Sequence, residues 1–396
     1  MAAAAPGERD NLQAAVTWAL ASDGPARPLA FRIVAALAVL AAASPGTVRG
    51  WADACAARIG VCPPELRAPV LHAAAWSAFY AGDLPLAQQR AEDALHDLAA
   101  DDPGSRARLR AVLAQICTLS GQPERGASIA REARQKAAER GMEVLAGNLL
   151  ATEARAWIAA GDYAAARPPA MQAVEIARRV QNPRLPAWAF CVAAGAIWPA
   201  EPQAALLLIE GSLALTRAGA FDPVLGIALT WAGVIRARAG DLPGALAALA
   251  EAMAQQYADG NRLLLGETLQ VTAVVLARLG EAEPAAVLSG AFPAHFPPDI
   301  SAVHQDEKMG IGEARSLARH ALGEAATTLA PTVSAKSSGP WTCSLRRRHS
   351  TSRNFLVNSL RIPAACHSEW HSRQVRYPVL DSKNPHNLEP PYGIEP

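Results

Sequence analysis

Near the C-terminus the run CHSEWH gathers Cys366, His367, Glu369 and His371, four side chains of the kinds that ligate a transition metal. The order is H-x-E-x-H rather than H-E-x-x-H, and the run lacks helical periodicity, so no metal site is expected. HQDEK at 304–308 sets His304 beside Asp306 and Glu307, groups able to move a proton. A loop between helices accounts for them equally well. No G-x-S-x-G is present, and no nucleophile stands beside an evident histidine partner. No G-x-x-x-x-G-K-[ST] loop is present to cradle phosphate, and none of Lys136, Lys308, Lys336 or Lys383 follows a glycine-rich turn. Cys117 and Cys191 fall within helical patterns and read as small buried hydrophobes. The expectation is a protein that is not an enzyme, with no catalytic residue, no cofactor and no metal.

Composition narrows the class. Of the 396 residues, 51% are hydrophobic but only 5% aromatic, because alanine supplies much of the apolar share. Alanine is the best helix former and permits close helix packing. The net charge of +1 gives no global field for nucleic acid or membrane. Six cysteines are scattered with no C-x-x-C pair, which fits reduced thiols in a cytoplasm. The most apolar run, IVAALAVLAAAS at 33–44, is shorter than the roughly 20 residues a membrane span needs. A cytoplasmic location is expected.

The elements that would position any site declare themselves as a repeat. AGDLPLA at 81–87 returns as AGDLPGA at 239–245 and in part as AGDYAAA at 160–166. Gly82, Gly121, Gly161, Gly240 and Gly280 are separated by 39, 40, 79 and 40 residues. The double step leaves room for one degenerate unit in IWPAEPQAAL, near Ala200. Five residues after each mark stand Ala87, Gly126, Ala166, Ala205, Ala245 and Ala285. Twelve after stand Ala94, Ala133, Ala173, Ser212 and Ala252. Seven before stand Ala75, Ala114, Ala154, Ala193, Gly233 and Ala273. Glycine supplies the left-handed residue that ends a helix. The Asp after it, as in Asp83 and Asp241, caps the next helix, and Pro85, Pro243 and Pro284 fit its first turn. Small residues mark close helix crossings, and Leu71, Leu150, Leu229 and Leu269 fill the space between. AGDLPLA is therefore read as the elbow of a helical hairpin.

The unit resembles the tetratricopeptide repeat, with a small residue in its first helix, a Gly-Asp elbow, and alanine five and twelve positions beyond the glycine. The period is 39–40 rather than 34 residues. The resemblance implies an all-α fold, a right-handed α-α superhelix (a tetratricopeptide-like solenoid). Three regions follow. Residues 1–64 hold N-terminal helices leading into the array, with 31–60 as one more hairpin. Residues 65–330 hold the repeats, and 331–396 form a disordered tail. In such arrays certain first-helix positions line a concave groove. Mapped here they are His72, Trp76, Phe79, Arg108, Gln115, Asn148, Arg155, Phe190, Glu267 and Gln270, a mixture of aromatic anchors and polar groups suited to a protein, a peptide or a small effector.

GERDNLQAAVTWAL at 7–20 has Asp10 as a candidate N-cap and an apolar face of Leu12, Val16 and Leu20. It resembles the segment that opens the helical-repeat region of signal-transduction ATPases, including LuxR-type and AfsR-type bacterial regulators. ARSLARHALGEAATTLA at 314–330 is similar to a last helix of such arrays. This resemblance implies the sensor half of a multidomain transcriptional regulator, without its ATPase and DNA-binding parts. The expected function is non-catalytic interaction or effector sensing. The alternative is a transcription-linked regulator that contacts DNA through its tail or through an ATPase partner. The tail, 331–396, carries 10 Ser and only 3 Ala, with 9 basic against 4 acidic residues. Its LRRRHSTSR at 345–353 reads as a solvated charge run. The loss of periodicity over 331–396 fits disorder, or translation in a shifted reading frame.

Overall fold

The computed structural model describes residues 9–22, 24–38, 45–98, 102–182, 184–219 and 222–295, with Ser316 and His320. All but the two isolated positions belong to one run of helices. The chain divides into two units, Met1–Thr332 and Val333–Pro396, and the described residues all lie in the first. HQDEK, CHSEWH and LRRRHSTSR fall outside the described residues, as does the tail.

Among the described residues the regular structure is helical. Helices α1 (Arg9–Ala21), α2 (Arg27–Leu37) and α3 (Pro45–Ala56) pack on one another, and α2 and α3 pack on α4 (Pro64–Ala81). Phe31 and Val34 are fully buried there, and Trp51 donates its indole N–H to Gln13 Oε1. The hairpin expected over 31–60 is thus part of a three-helix group. Asp10 stands inside the first turn of α1 rather than at its cap, where its charge still favours the helix N-terminus.

Among the described residues six helical pairs follow in order. They are α4 with α5 (Leu84–Asp97), α6 (Pro103–Leu119) with α7 (Pro123–Ala138), and α8 (Glu143–Ala160) with α9 (Tyr163–Arg179). Then come α10 (Leu185–Ile197) with α11 (Pro202–Gly219), α12 (Asp222–Arg238) with α13 (Leu242–Ala258), and α14 (Arg262–Arg278) with α15 (Ala282–His295). Each helix packs against the next, and first helices of successive pairs also touch. This is an α-α superhelix.

The elbows form as their sequence requires. Gly82, Gly121, Gly161, Gly240 and Gly280 all have positive φ, between 75° and 86°. Asp83 N donates to Ala78 O at 3.0 Å and Gly82 N to Phe79 O at 3.0 Å, a Schellman closure. The long bond recurs from Gln122 to Cys117, Asp162 to Trp157, Asp241 to Arg236 and Glu281 to Leu276. Asp83, Asp162 and Asp241 then accept the amide three residues on, at 2.8–3.1 Å. Gly141 and Gly260 have positive φ as well and make the same closure between pairs. The degenerate unit turns without glycine, through Ala200 and Glu201 N–H groups bonded to Ile197 O, and Pro202 starts α11.

Small side chains sit at the crossings. Ala87, Ala166, Ala205, Ala245 and Ala285 have no exposed surface, nor do Ala75, Ala114, Ala154 and Ala193. A Cβ on Gly126 would lie 2.6 Å from Ala114 O, and one on Gly233 2.6 Å from Leu249 Cγ. The positions five after and seven before the elbow therefore press against the partner helix of the same pair or its side chains. Burial of roughly 25 cal/mol per Å² of apolar surface along these seams holds the stack together.

The stack also curls far enough for its ends to meet. Helix α14, in the sixth pair, packs against α4, in the first, and Leu263 lies in the same core cluster as Val70 and Ala73. Arg49 on α3 donates to Gly260 O across this junction and to Ser77 O on α4 at 3.4 Å. Asp53, one turn along α3, accepts from Ser77 Oγ at 2.8 Å and pairs with Arg90 at 2.6 Å.

Candidate ligand-binding interior

The closure turns the first helices of several pairs toward a common interior. On α4, Trp76 stacks on Tyr80 with centroids 5.5 Å apart, and Phe79 meets both edge-on at 5.3 Å. All three rings are buried. Trp76 donates its indole N–H to His72 Nε2 at 3.2 Å, so His72 accepts at that nitrogen. Burial, assisted by the positive charge of Arg108, pushes the His72 pKa down to about 4. The imidazole is neutral at physiological pH.

Arg155 on α8 is the centre of a second group. Its guanidinium donates to Gln115 Oε1 on α6 at 2.7 Å and lies 6.0 Å from the ring centroid of Trp188 on α10. Its field reaches Tyr80 on α4 and Cys191 on α10. Tyr80 is raised above the ordinary phenol range by burial, while Arg155, Arg184 and Arg49 oppose that rise. Cys191 has no exposed surface, and burial pushes its thiol up to about 12; Arg155 opposes this and Glu267 on α14 adds to it. Side chains from the first, second, third, fourth and sixth pairs therefore act on one region. A thiol so far from ionisation is no nucleophile at neutral pH.

The residues mapped from the repeat pattern divide accordingly. His72, Trp76 and Phe79 form one buried cluster on α4. Gln115 and Arg155 are hydrogen-bonded, and Glu267 bears on the same Cys191 as Arg155. Gln270, one turn further along α14, is 6% exposed, and its Oε1 has no hydrogen-bond partner among the described residues. Arg108 is exposed and acts on His72 and Asp102. Asn148 donates to Val144 O in its own helix at 3.1 Å. Phe190 is buried against α11, where a Cβ on Gly211 would lie 3.3 Å from its ring. The mapping missed Tyr80, Arg184 and Trp188. Tyr80 follows Trp76 by four residues and Trp188 follows Arg184 by four, so helical spacing was the available signal.

Among the described residues no cluster of His, Cys, Asp and Glu is arranged to hold a metal, and no helix is long and apolar enough to cross a membrane. Cys55, Cys62, Cys117 and Cys191 are buried free thiols.

Taken together, consecutive hairpins with glycine elbows define a helical-repeat superhelix of tetratricopeptide-like kind. Among solved structures, the chain is similar to a Rap protein complexed with Competence and Sporulation Factor. The TM-score is 0.59 at 14% identity, over 76% of this chain and 81% of that one. That likeness shows the fold. No protein-family model matches the sequence, and no curated protein matches it.

Proposed function

We propose that this chain is a non-catalytic binding module whose interior takes a peptide or a protein segment. The observation that carries the reading is the convergence on Arg155 of Gln115, Trp188, Tyr80, Cys191 and, through Cys191, Glu267, drawn from four other pairs. Aromatic faces beside a guanidinium and amides suit a chain with both apolar and polar groups. The fold's likeness to a protein solved with Competence and Sporulation Factor supports the same reading. The raised Cys191 thiol and the neutral His72 speak against nucleophilic and acid–base roles at those positions. We place the module in signalling, as the sensor region of a bacterial regulator, on the resemblance carried by GERDNLQAAVTWAL.

The test is affinity selection of a random heptapeptide pool on the immobilised full chain. Peptides enriched over a blank surface, and lost on a Trp188→Ala chain with an unchanged melt, support the reading. Failure to enrich any peptide sinks it.

A further inference from the structure

Several arginines elsewhere in the array end on carboxylates. Arg90 reaches Asp53 at 2.6 Å, Arg131 reaches Glu153 at 2.8 Å, Arg167 reaches Glu201 at 2.5 Å, and Arg236 reaches Glu210. Each links neighbouring segments of the stack. Arg155 differs. It is half-buried and meets a neutral amide and an indole, with no carboxylate in ion-pair reach among the described residues. Arg49 and Arg184 act on the same Tyr80 as Arg155. Asp53, whose charge acts on Arg49, is engaged by Arg90 and Ser77. Glu267 supplies negative charge at Cys191 from α14.

A carboxylate placed against the fork of a half-buried guanidinium forms paired, charged hydrogen bonds that a neutral amide cannot match. On α14, the unpartnered and nine-tenths buried Gln270 Oε1 is an acceptor suited to a peptide N–H.

We propose that the interior is a carboxylate site: Arg155 forms the ion pair with an acidic group of the bound peptide, and Gln270 accepts one of its amide N–H groups. This rests on the peptide-binding reading above. The carboxylate belongs to the peptide C-terminus or to an Asp or Glu side chain.

The experiment offers three pentapeptide pools to the full chain: free C-terminus without Asp or Glu, amidated with Asp and Glu, and amidated without them. Retention is read by mass spectrometry. The wild-type chain is expected to retain one acid-bearing pool about tenfold over the acid-free pool, with the preference shrinking as salt rises. Which pool wins tells the C-terminal from the side-chain carboxylate. Arg155→Gln should erase the preference, and Arg155→Lys, which keeps the charge, should restore part of it. Melting curves establish that both variants fold, and Arg155→Lys decides alone if Arg155→Gln does not. Equal retention of all pools, or a preference surviving Arg155→Gln, overturns the carboxylate site and leaves peptide binding standing. Retention of no pool overturns both.

Discussion

Arg49 and Gly260 lie 211 residues apart and are joined by a hydrogen bond from the guanidinium to the carbonyl oxygen. The bond ties the N-terminal helices to the turn between α13 and α14. With Leu263 seated in the first pair's core, it joins the two ends of the stack.

Arg49→Ala should loosen this junction. A charged donor shared between Gly260 O and Ser77 O is worth on the order of 1–3 kcal/mol, so the melting temperature should fall. Alkylation of Cys191, sealed in the interior, should quicken in the native protein as the junction opens. Site-resolved mass spectrometry reads that rate. A rate equal to wild type would show that Cys191 is protected by its own pair alone.

Gly126 tolerates no side chain. A Cβ there would stand 2.5 Å from Thr118 Oγ1 and 2.6 Å from Ala114 O. Gly126→Ala should cost about 1–3 kcal/mol through overpacking, measured by urea unfolding. Gly104→Ala is the control. Its nearest neighbour would be 3.6 Å away, so stability should hold or rise.

Ala166→Trp places an indole at a crossing with no exposed surface. Because each pair is buried only through its neighbours, the damage should spread beyond α8 and α9. Hydrogen exchange should show lost protection in α10 and α11 as well. Loss confined to one pair would contradict a shared core.

His72 makes stability depend on pH. Its folded pKa, about 4, lies below the ordinary value of 6.5. Between those values the unfolded chain binds more protons than the folded one, so stability rises with pH. The contribution is complete above about 6.5 and is lost as pH falls toward 4. The full shift corresponds to about 3 kcal/mol at most. Wild type and His72→Gln should therefore differ in the slope of melting temperature against pH over that window. Parallel slopes would place the acid sensitivity elsewhere.

Much of the fold was legible. The glycine ladder and the small residues at three offsets marked the elbows and the crossings, because αL geometry and close approach are strict local demands. Gly141 and Gly260 went unread, since the turns between pairs carry no Asp-Pro signature. The candidate site was legible in part. Offsets placed Arg155, Gln115, Trp76 and His72 on inward-turning helices, but offsets within one helix cannot say which positions stay open when another helix arrives. Phe190 shows the difference: its position follows the pattern, yet its ring packs against Gly211 of its own pair.

By itself the sequence determined the hairpin, its period of 39–40 residues and the places where helices touch, because capping, φ preference and side-chain size act within a few residues. Only the tertiary structure decided that α14 comes back to α4, that Arg155 lies between Gln115 and Trp188, and that Tyr80 joins them. Small rotations accumulate from pair to pair, and the curvature that brings residues 49 and 260 together is the sum of all of them rather than the property of any one.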